Sequence, residues 1–421
     1  MLSEKHKLNW VMKNRKTILI IIGHLVAILV LLQDISAQDA KGYIYGKVYT
    51  RDQTYEGSIT WGKEETFWHN YFNASKTNKS SYQQKAGEKE QDLDWKEFDW
   101  SFRAIWEDKA TTRHQYSSQF GDISVIENHR RDEVLLTLKN GLKMALDGRG
   151  YNDVGATIEV NDEFGNTVRV DWERVDRVEF FSAPNSFKIR NAKPIYGKVE
   201  TLGKGSFTGF VQWDHDERLL THKLDGDIRG GDVSISFESI FRIERLGKGC
   251  EVVLKDGREF YLTGSNDVDE SNRGVIVYVP DLGRVDISWR HFRSLEMITT
   301  EKTGPGYDDY PKPEGIRGSV LTVKNEQHSG KIIYDLDEEW ELETLDAKDD
   351  GVSYEIPFRF LDKITPKNYS FSQIYLKNGN VLLLGDARDV DNNNDGLIIL
   401  DATGRQEAYI MWNRIVEIKF D

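Results

Sequence analysis

The sequence predicts an all-β fold of short antiparallel strands arranged in tandem, and three observations predict it. Apolar residues alternate with polar ones over short runs, as at Val252 and Leu254 or at Val275, Val277 and Val279, which is the pattern of half-buried strands. Asn-Gly or Asp-Gly follows such runs at Gly141, Gly257 and Gly379, the strongest short-range hairpin signal because the central turn residues favour positive φ. The whole arrangement then recurs along the chain, as an array does.

The stretch from Val252 to Met297 shows the pattern most fully. Val252 and Leu254 lead into Lys255-Asp256-Gly257, and Phe260 and Leu262 lie on the return strand. A polar loop from Gly264 to Gly274 follows. Val275, Val277 and Val279 form the next strand, turned by Asp281 to Gly283. Trp289, Phe292 and Leu295 are spaced by three, which suits one 3₁₀ turn before a last strand. Relatives of this stretch begin at Val134 and Ile374 and end in Trp172 and Trp412; Asp-Val recurs in them as Asp153-Val154, Asp267-Val268 and Asp389-Val390.

Each of these units is preceded by one of another type. Tyr196-Gly197-Lys198-Val199, Gly209, Trp213, Asp216-Glu217 and Phe237 match Arg317-Gly318-Ser319-Val320, Gly330, Tyr334, Asp337-Glu338 and Phe358 at a constant offset. Tyr45-Gly46-Lys47-Val48, Gly57, Trp61 and Glu64-Glu65 form the first copy. The expected organisation is about six small units in three pairs, at 42–182 (with an insertion at about 75–110), 193–300 and 314–421. Polar linkers that contain Pro or Gly separate the pairs, at 182–194 and 299–314. The order of bent strand, two hairpins, 3₁₀ turn and last strand resembles SH3-like or Sm-like small β-barrels. That resemblance implies a tandem array of such barrels and no particular activity, since they host many functions. A six-bladed β-propeller is the alternative architecture.

The 421 residues carry a net charge of −14 and one cysteine, Cys250, so no intramolecular disulfide forms. Ile18 to Leu32 is an apolar run behind Lys13, Arg15 and Lys16, with Ile35-Ser36-Ala37 before Gln38. This reads as a secretory signal peptide over 1–37, with Met12 as a second candidate start and an uncleaved membrane anchor as the alternative. Cleavage would leave 51 basic and 68 acidic side chains, a net charge of −17. The expected location is periplasmic, outer-membrane-associated or extracellular. Such acidity opposes nucleic-acid binding and adhesion to anionic membranes.

Three features offer chemistry. Oxygen ligands alternate at Asp389, Asp391, Asn393 and Asp395 and resemble a calcium loop. The glycine, Gly396, falls after the fourth ligand position, and no Glu occupies the bidentate position. The competing reading is a polar turn in which Asp and Asn cap the backbone. Acidic clusters recur at Glu64-Glu65, at Asp214 with Asp216-Glu217, and at Asp335 with Asp337 to Glu339. Paired carboxylates can serve a hydrolase; at a hairpin tip they are expected to be solvated. Finally, Trp95, Phe98, Trp100, Phe102 and Trp106 in the first-repeat insertion form a core element or an aromatic surface for a protein or glycan partner. No nucleophile elbow, phosphate loop or Cys/His pair is visible. The sequence therefore predicts an exported, non-catalytic binding protein of the cell envelope without a cofactor. An envelope hydrolase and a calcium-binding structural protein are the alternatives.

Overall fold

A computed structural model describes residues 37–76, 114–130, 132–190 and 193–421. Residues 1–36 of the expected signal peptide 1–37 and the insertion aromatics Trp95 to Trp106 lie outside the described residues. The chain is all-β, in large antiparallel sheets, and its only helical turns among the described residues are 3₁₀.

Among the described residues ten strands make up each repeat, five from each unit. In the first repeat, unit one contributes Tyr45–Thr50, Thr54–Trp61, Tyr71–Lys76, His114–Gln119 and Ile123–Arg130. Unit two contributes Glu133–Leu138, Lys143–Asp147, Ile158–Asn161, Thr167–Val170 and Val175–Phe180. The units do not pair internally in that order. The first hairpin of unit one joins unit two, through Ile59↔Val160 and Val48↔Val178. The first hairpin of unit two joins unit one in return, through Ile126↔Leu136 and Ser75↔Asp147. The two fifth strands pair directly at Ile126↔Val178. Each repeat is thus an exchange of hairpins between two units, an intrachain counterpart of domain swapping.

The same ladders occur at 196–297 and 317–420. The exchanged hairpins register at Val211↔Val277 and Ile243↔Val252, then at Ile333↔Ile398 and Ile364↔Ile374. The fifth strands again pair, at Ile243↔Leu295 and Ile364↔Ile418. Gly283–Ile287 pairs with Val352–Pro357, so the second and third repeats share one continuous sheet. Among the described residues no ladder closes a sheet on itself, so neither a closed barrel nor a propeller ring is present.

The core follows the exchange. The aromatic residue ending the second strand of each odd unit sits between aromatics of both units. Trp61 lies 5.7 Å from Phe120 and 5.8 Å from Trp172. Trp213 lies 6.2 Å from Phe237 and 5.8 Å from Trp289. Tyr334 lies 5.0 Å from Phe358 and 6.1 Å from Trp412. Trp172, Trp289 and Trp412 are all buried, yet the core they fill belongs to the pair and not to one unit.

Local expectations are corrected in three places. The Asp256-Gly257 turn is a three-residue loop: only Gly257 takes positive φ, at 86°, and its N–H donates to Leu254 O at 3.0 Å. A type I turn followed by a left-handed Gly gives this geometry. The strand Val275–Val279 buries both faces instead of one, because Ile276 and Tyr278 pack on Tyr71 and Phe210 across a repeat boundary. The 3₁₀ turn forms at Phe120, Trp172, Phe237, Phe358 and Trp412, whereas at Trp289 a turn closed by His291 N–H to Ser288 O, 2.8 Å, replaces it.

Candidate functional site

The acidic clusters occupy equivalent turns after Trp61, Trp213 and Tyr334. Left-handed residues bend the chain there: Gly62, then Asp214 and His215, then Asp335 and Leu336. The turn is tied by Trp61 N to Glu65 O at 2.7 Å, Trp213 N to Glu217 O at 2.7 Å and Tyr334 N to Glu338 O at 2.9 Å. These bonds put Glu65, Glu217 and Glu338 at one equivalent position. Facing each is the Asp of an Asp-Val pair. Asp153, Asp267 and Asp389 accept the backbone N–H of Asn73, Asp225 and Asp346 at 2.6, 2.7 and 2.6 Å. Their carbonyls accept from Trp61 Nε1, Trp213 Nε1 and the Tyr334 hydroxyl at 2.8, 2.9 and 2.5 Å. The recurrent Asp-Val therefore clamps an even unit's loop to an odd unit's third strand.

These tips are not the solvated turns expected. Asp214, Asp335 and Glu338 are buried: the loop of the paired unit covers the first two, through Arg273 and Arg388, and Lys76 of the first repeat stands near the third. Burial, and then adjacent carboxylates, hold the Glu65 and Glu338 carboxyls well above their usual range and push Glu217 up to about 9. Burial likewise raises Asp153 and Asp267 to about 6 and Asp389 to about 8, against the bonds from the backbone. Lys76 of the first repeat enters the third-repeat turn, 3.1 Å from Asp337 and 2.5 Å from Glu343. Arg218 of the second reaches Thr66 Oγ1 of the first at 2.7 Å.

The residues of the expected calcium loop have separate local duties. Asp389 serves the Asp346 N–H. Asp391 accepts from Asn393 N at 2.7 Å and from its side-chain amide at 3.2 Å. Asp395 pairs with Arg388, which also sits 2.7 Å from Asp335. Among the described residues, the carboxylates whose oxygens come within 4.8 Å of one another as a set of three are Asp214, Asp216 and Glu217. Arg273 bridges Asp214 at 3.3 Å and Asp216 at 2.8 Å. The partner-surface aromatics Trp95, Phe98, Trp100, Phe102 and Trp106 lie outside the described residues.

Two cavities lie at repeat boundaries. A polar one of about 110 Å³ between the first and second repeats is lined by Glu65, Asp153, His215 and Arg284. His215 Nε2 is 3.1 Å from Asp286, and Arg284 is 2.9 Å from Glu355 of the third repeat. The larger, about 330 Å³, is mostly apolar and lies where all three repeats and the 299–314 linker meet. His69 comes from the first repeat, Phe210 and Tyr278 from the second, Tyr310 from the linker and Arg359 from the third. His69 stacks on Phe67 and Phe210, with centroids 5.3 and 4.7 Å away. Sequence reasoning missed this junction. Tyr307 and Tyr310, two aromatics in a Pro- and Gly-rich linker, were the available signal. No protein-family model, curated protein or solved structure matches this chain.

Proposed function

We propose that this chain is an exported, non-catalytic binding protein of the cell envelope that recognises a protein or glycan partner. In this reading its mature part is three double units, each an intertwined pair of small, open SH3-like barrels. The junction cavity carries the reading: it is concave, mostly apolar and built by three repeats at once, as ligand sites commonly are. A photo-crosslinking residue in place of the exposed Pro280, which lines the cavity, tests it in cells. One specific envelope adduct is expected, and none above background would overturn the reading. Export is tested by mass spectrometry of the native N-terminus, expected at or near Gln38; an intact N-terminal segment would favour the anchor.

One observation favours a second reading, an envelope hydrolase. Glu217, raised to about 9, stands beside the carboxyl groups of Asp216 and Asp214, and a carboxyl that keeps its proton within such a cluster can serve as a general acid. Turnover on a glycoside or peptide panel that disappears in Glu217→Gln would establish it. No turnover would leave the binding reading alone.

A further inference from the structure

We propose that the junction cavity binds a neutral ring with one flat apolar face and hydroxyl groups at its edge, the chemistry of a pyranose. This rests on the binding reading above and gives it a ligand.

The walls argue for the flat face. Phe210, Tyr278 and Phe360 present rings, and Pro280, Pro305 and Pro311 present flat apolar surfaces. At about 330 Å³ the cavity is near the lower limit for ligand pockets, suited to one small ring system. The charges argue for neutrality. Arg359 is answered by Asp122, whose side chain is fully buried, and burial pushes the His69 imidazole down to about 3, so it is uncharged. An anionic ligand would lose its hydration and meet no spare cation; of the two acids in the lining, Asp309 is paired with Lys41 and Asp281 is open to solvent, where its pull on a cation is screened.

The unpaired polar atoms argue for hydroxyls. Both ring nitrogens of His69, the Tyr310 hydroxyl and Arg359 Nε are buried with no hydrogen-bond partner among the described residues. Buried polar atoms are rarely left so, and these three residues surround one cavity. A neutral imidazole offers one donor and one acceptor, and a phenol offers both. Asp281 and Asp309, both exposed, line the same cavity and accept from hydroxyls, and a small shift of the rings would let a hydroxyl reach the buried atoms as well. Gly304, at φ 98°, leaves room for the imidazole: a Cβ there would stand 2.6 Å from His69 Nδ1.

A pyranose could be the end of a polysaccharide or a free sugar. Saturation-transfer NMR and calorimetry on the full chain distinguish these, with methyl β-glucopyranoside, methyl N-acetyl-β-glucosaminide, and an oligosaccharide of each. Binding of at least one neutral pyranoside is expected, and at least tenfold weaker binding of glucuronate and of benzyl alcohol. An oligosaccharide at least tenfold tighter than its monosaccharide identifies a glycan; equal affinity identifies a free sugar. Val279→Phe, at a half-buried lining position, should abolish binding with the melting temperature kept. His69→Phe keeps the stack and removes the unpaired nitrogens, so it should melt higher and bind at least tenfold more weakly. Silence of every pyranoside, benzyl alcohol bound as tightly, or full binding by Val279→Phe would overturn the inference. Pyranoside silence with the Pro280 adduct present removes the ligand class alone. Silence with no adduct removes the binding reading too.

Discussion

The turns at Trp213–Glu217 and Tyr334–Glu338 share a backbone and differ in what covers them. Both begin with two left-handed residues, Asp214 at 45° and His215 at 66°, Asp335 at 46° and Leu336 at 62°. Both face an Asp that caps the third strand. In the third repeat, Lys76 crosses from the first repeat and its ammonium sits among Asp337, Glu343 and Glu338. Burial acts to lower that ammonium, but the carboxylates outweigh it and hold its pKa well above the usual lysine value. In the second repeat the covering cation is Arg273 of the same repeat, and the Asp216 side chain is 42% exposed. One local sequence pattern thus makes an inter-repeat lock in one place and an open acidic turn in another. The tertiary partner decides which.

The largest expected effect comes from unlocking the first of these. Lys76→Met leaves buried carboxylates without their cation, and breaking a buried ion pair costs about 3–5 kcal/mol. Arg273→Met breaks one pair with the half-exposed Asp216 and one with the buried Asp214, so it should cost less than Lys76→Met, about 1–3 kcal/mol. Denaturant unfolding of both variants checks the contrast, and equal losses would show that the two turns are covered alike. Lys76→Met combined with Glu343→Gln should recover part of the loss, since one buried charge then disappears with its partner.

The Asp clamp should give the next largest effect. Asp389→Ala removes the acceptor for the Asp346 N–H and leaves that donor buried, a loss of about 1–3 kcal/mol. Asp389→Asn keeps an acceptor oxygen and should be nearly neutral. It should also remove a pH dependence. The folded Asp389 carboxyl is raised to about 8, so the native state binds its proton more tightly and stability falls as pH rises from the usual carboxylate range to about 8. Melting temperatures of wild type and Asp389→Asn should converge at low pH and separate progressively as pH rises to about 8, with the variant higher. Parallel curves would contradict the assignment.

What the sequence makes legible here is local. Alternation, the glycine turns and the Trp endings locate the strands, because each is set by neighbouring residues. The pairing is not local. Val199 pairs with Leu295, and Val211 with Val277, where an unexchanged unit would offer other apolar residues of similar kind. Exchange therefore leaves no mark on the alternation that would distinguish it. The second buried face of Val275–Val279 did leave one: Ile276 and Tyr278 make the run apolar throughout, as in strands covered on both sides. In the candidate site, Asp389 stands out in sequence beside other oxygen ligands, yet its capping role needs Asp346 of another unit to be seen. The junction is less legible still, since His69, Tyr278, Tyr310 and Arg359 are distant in sequence and share no motif.

The smallest effect sharpens the comparison from the open side. Glu217 and Glu338 hold equivalent positions and both are raised by burial and by neighbouring carboxylates, Glu217 to about 9. Its folded carboxyl keeps its proton where the unfolded chain has lost it, so the native state binds more protons between the usual carboxylate range and about 9. Stability falls with rising pH across that window and changes little from this group outside it. Glu217→Gln replaces the protonated acid with a neutral amide of similar shape. It should match wild type near pH 4 and melt slightly higher near pH 9. Glu338→Gln behaves differently if the lock is real. Lys76 sits among the third-repeat acids and favours their charged forms, so removing one should gain less at high pH. Melting curves across this range for the two variants decide the matter: equal gains at both positions would mean that Lys76 does not compensate the third-repeat turn.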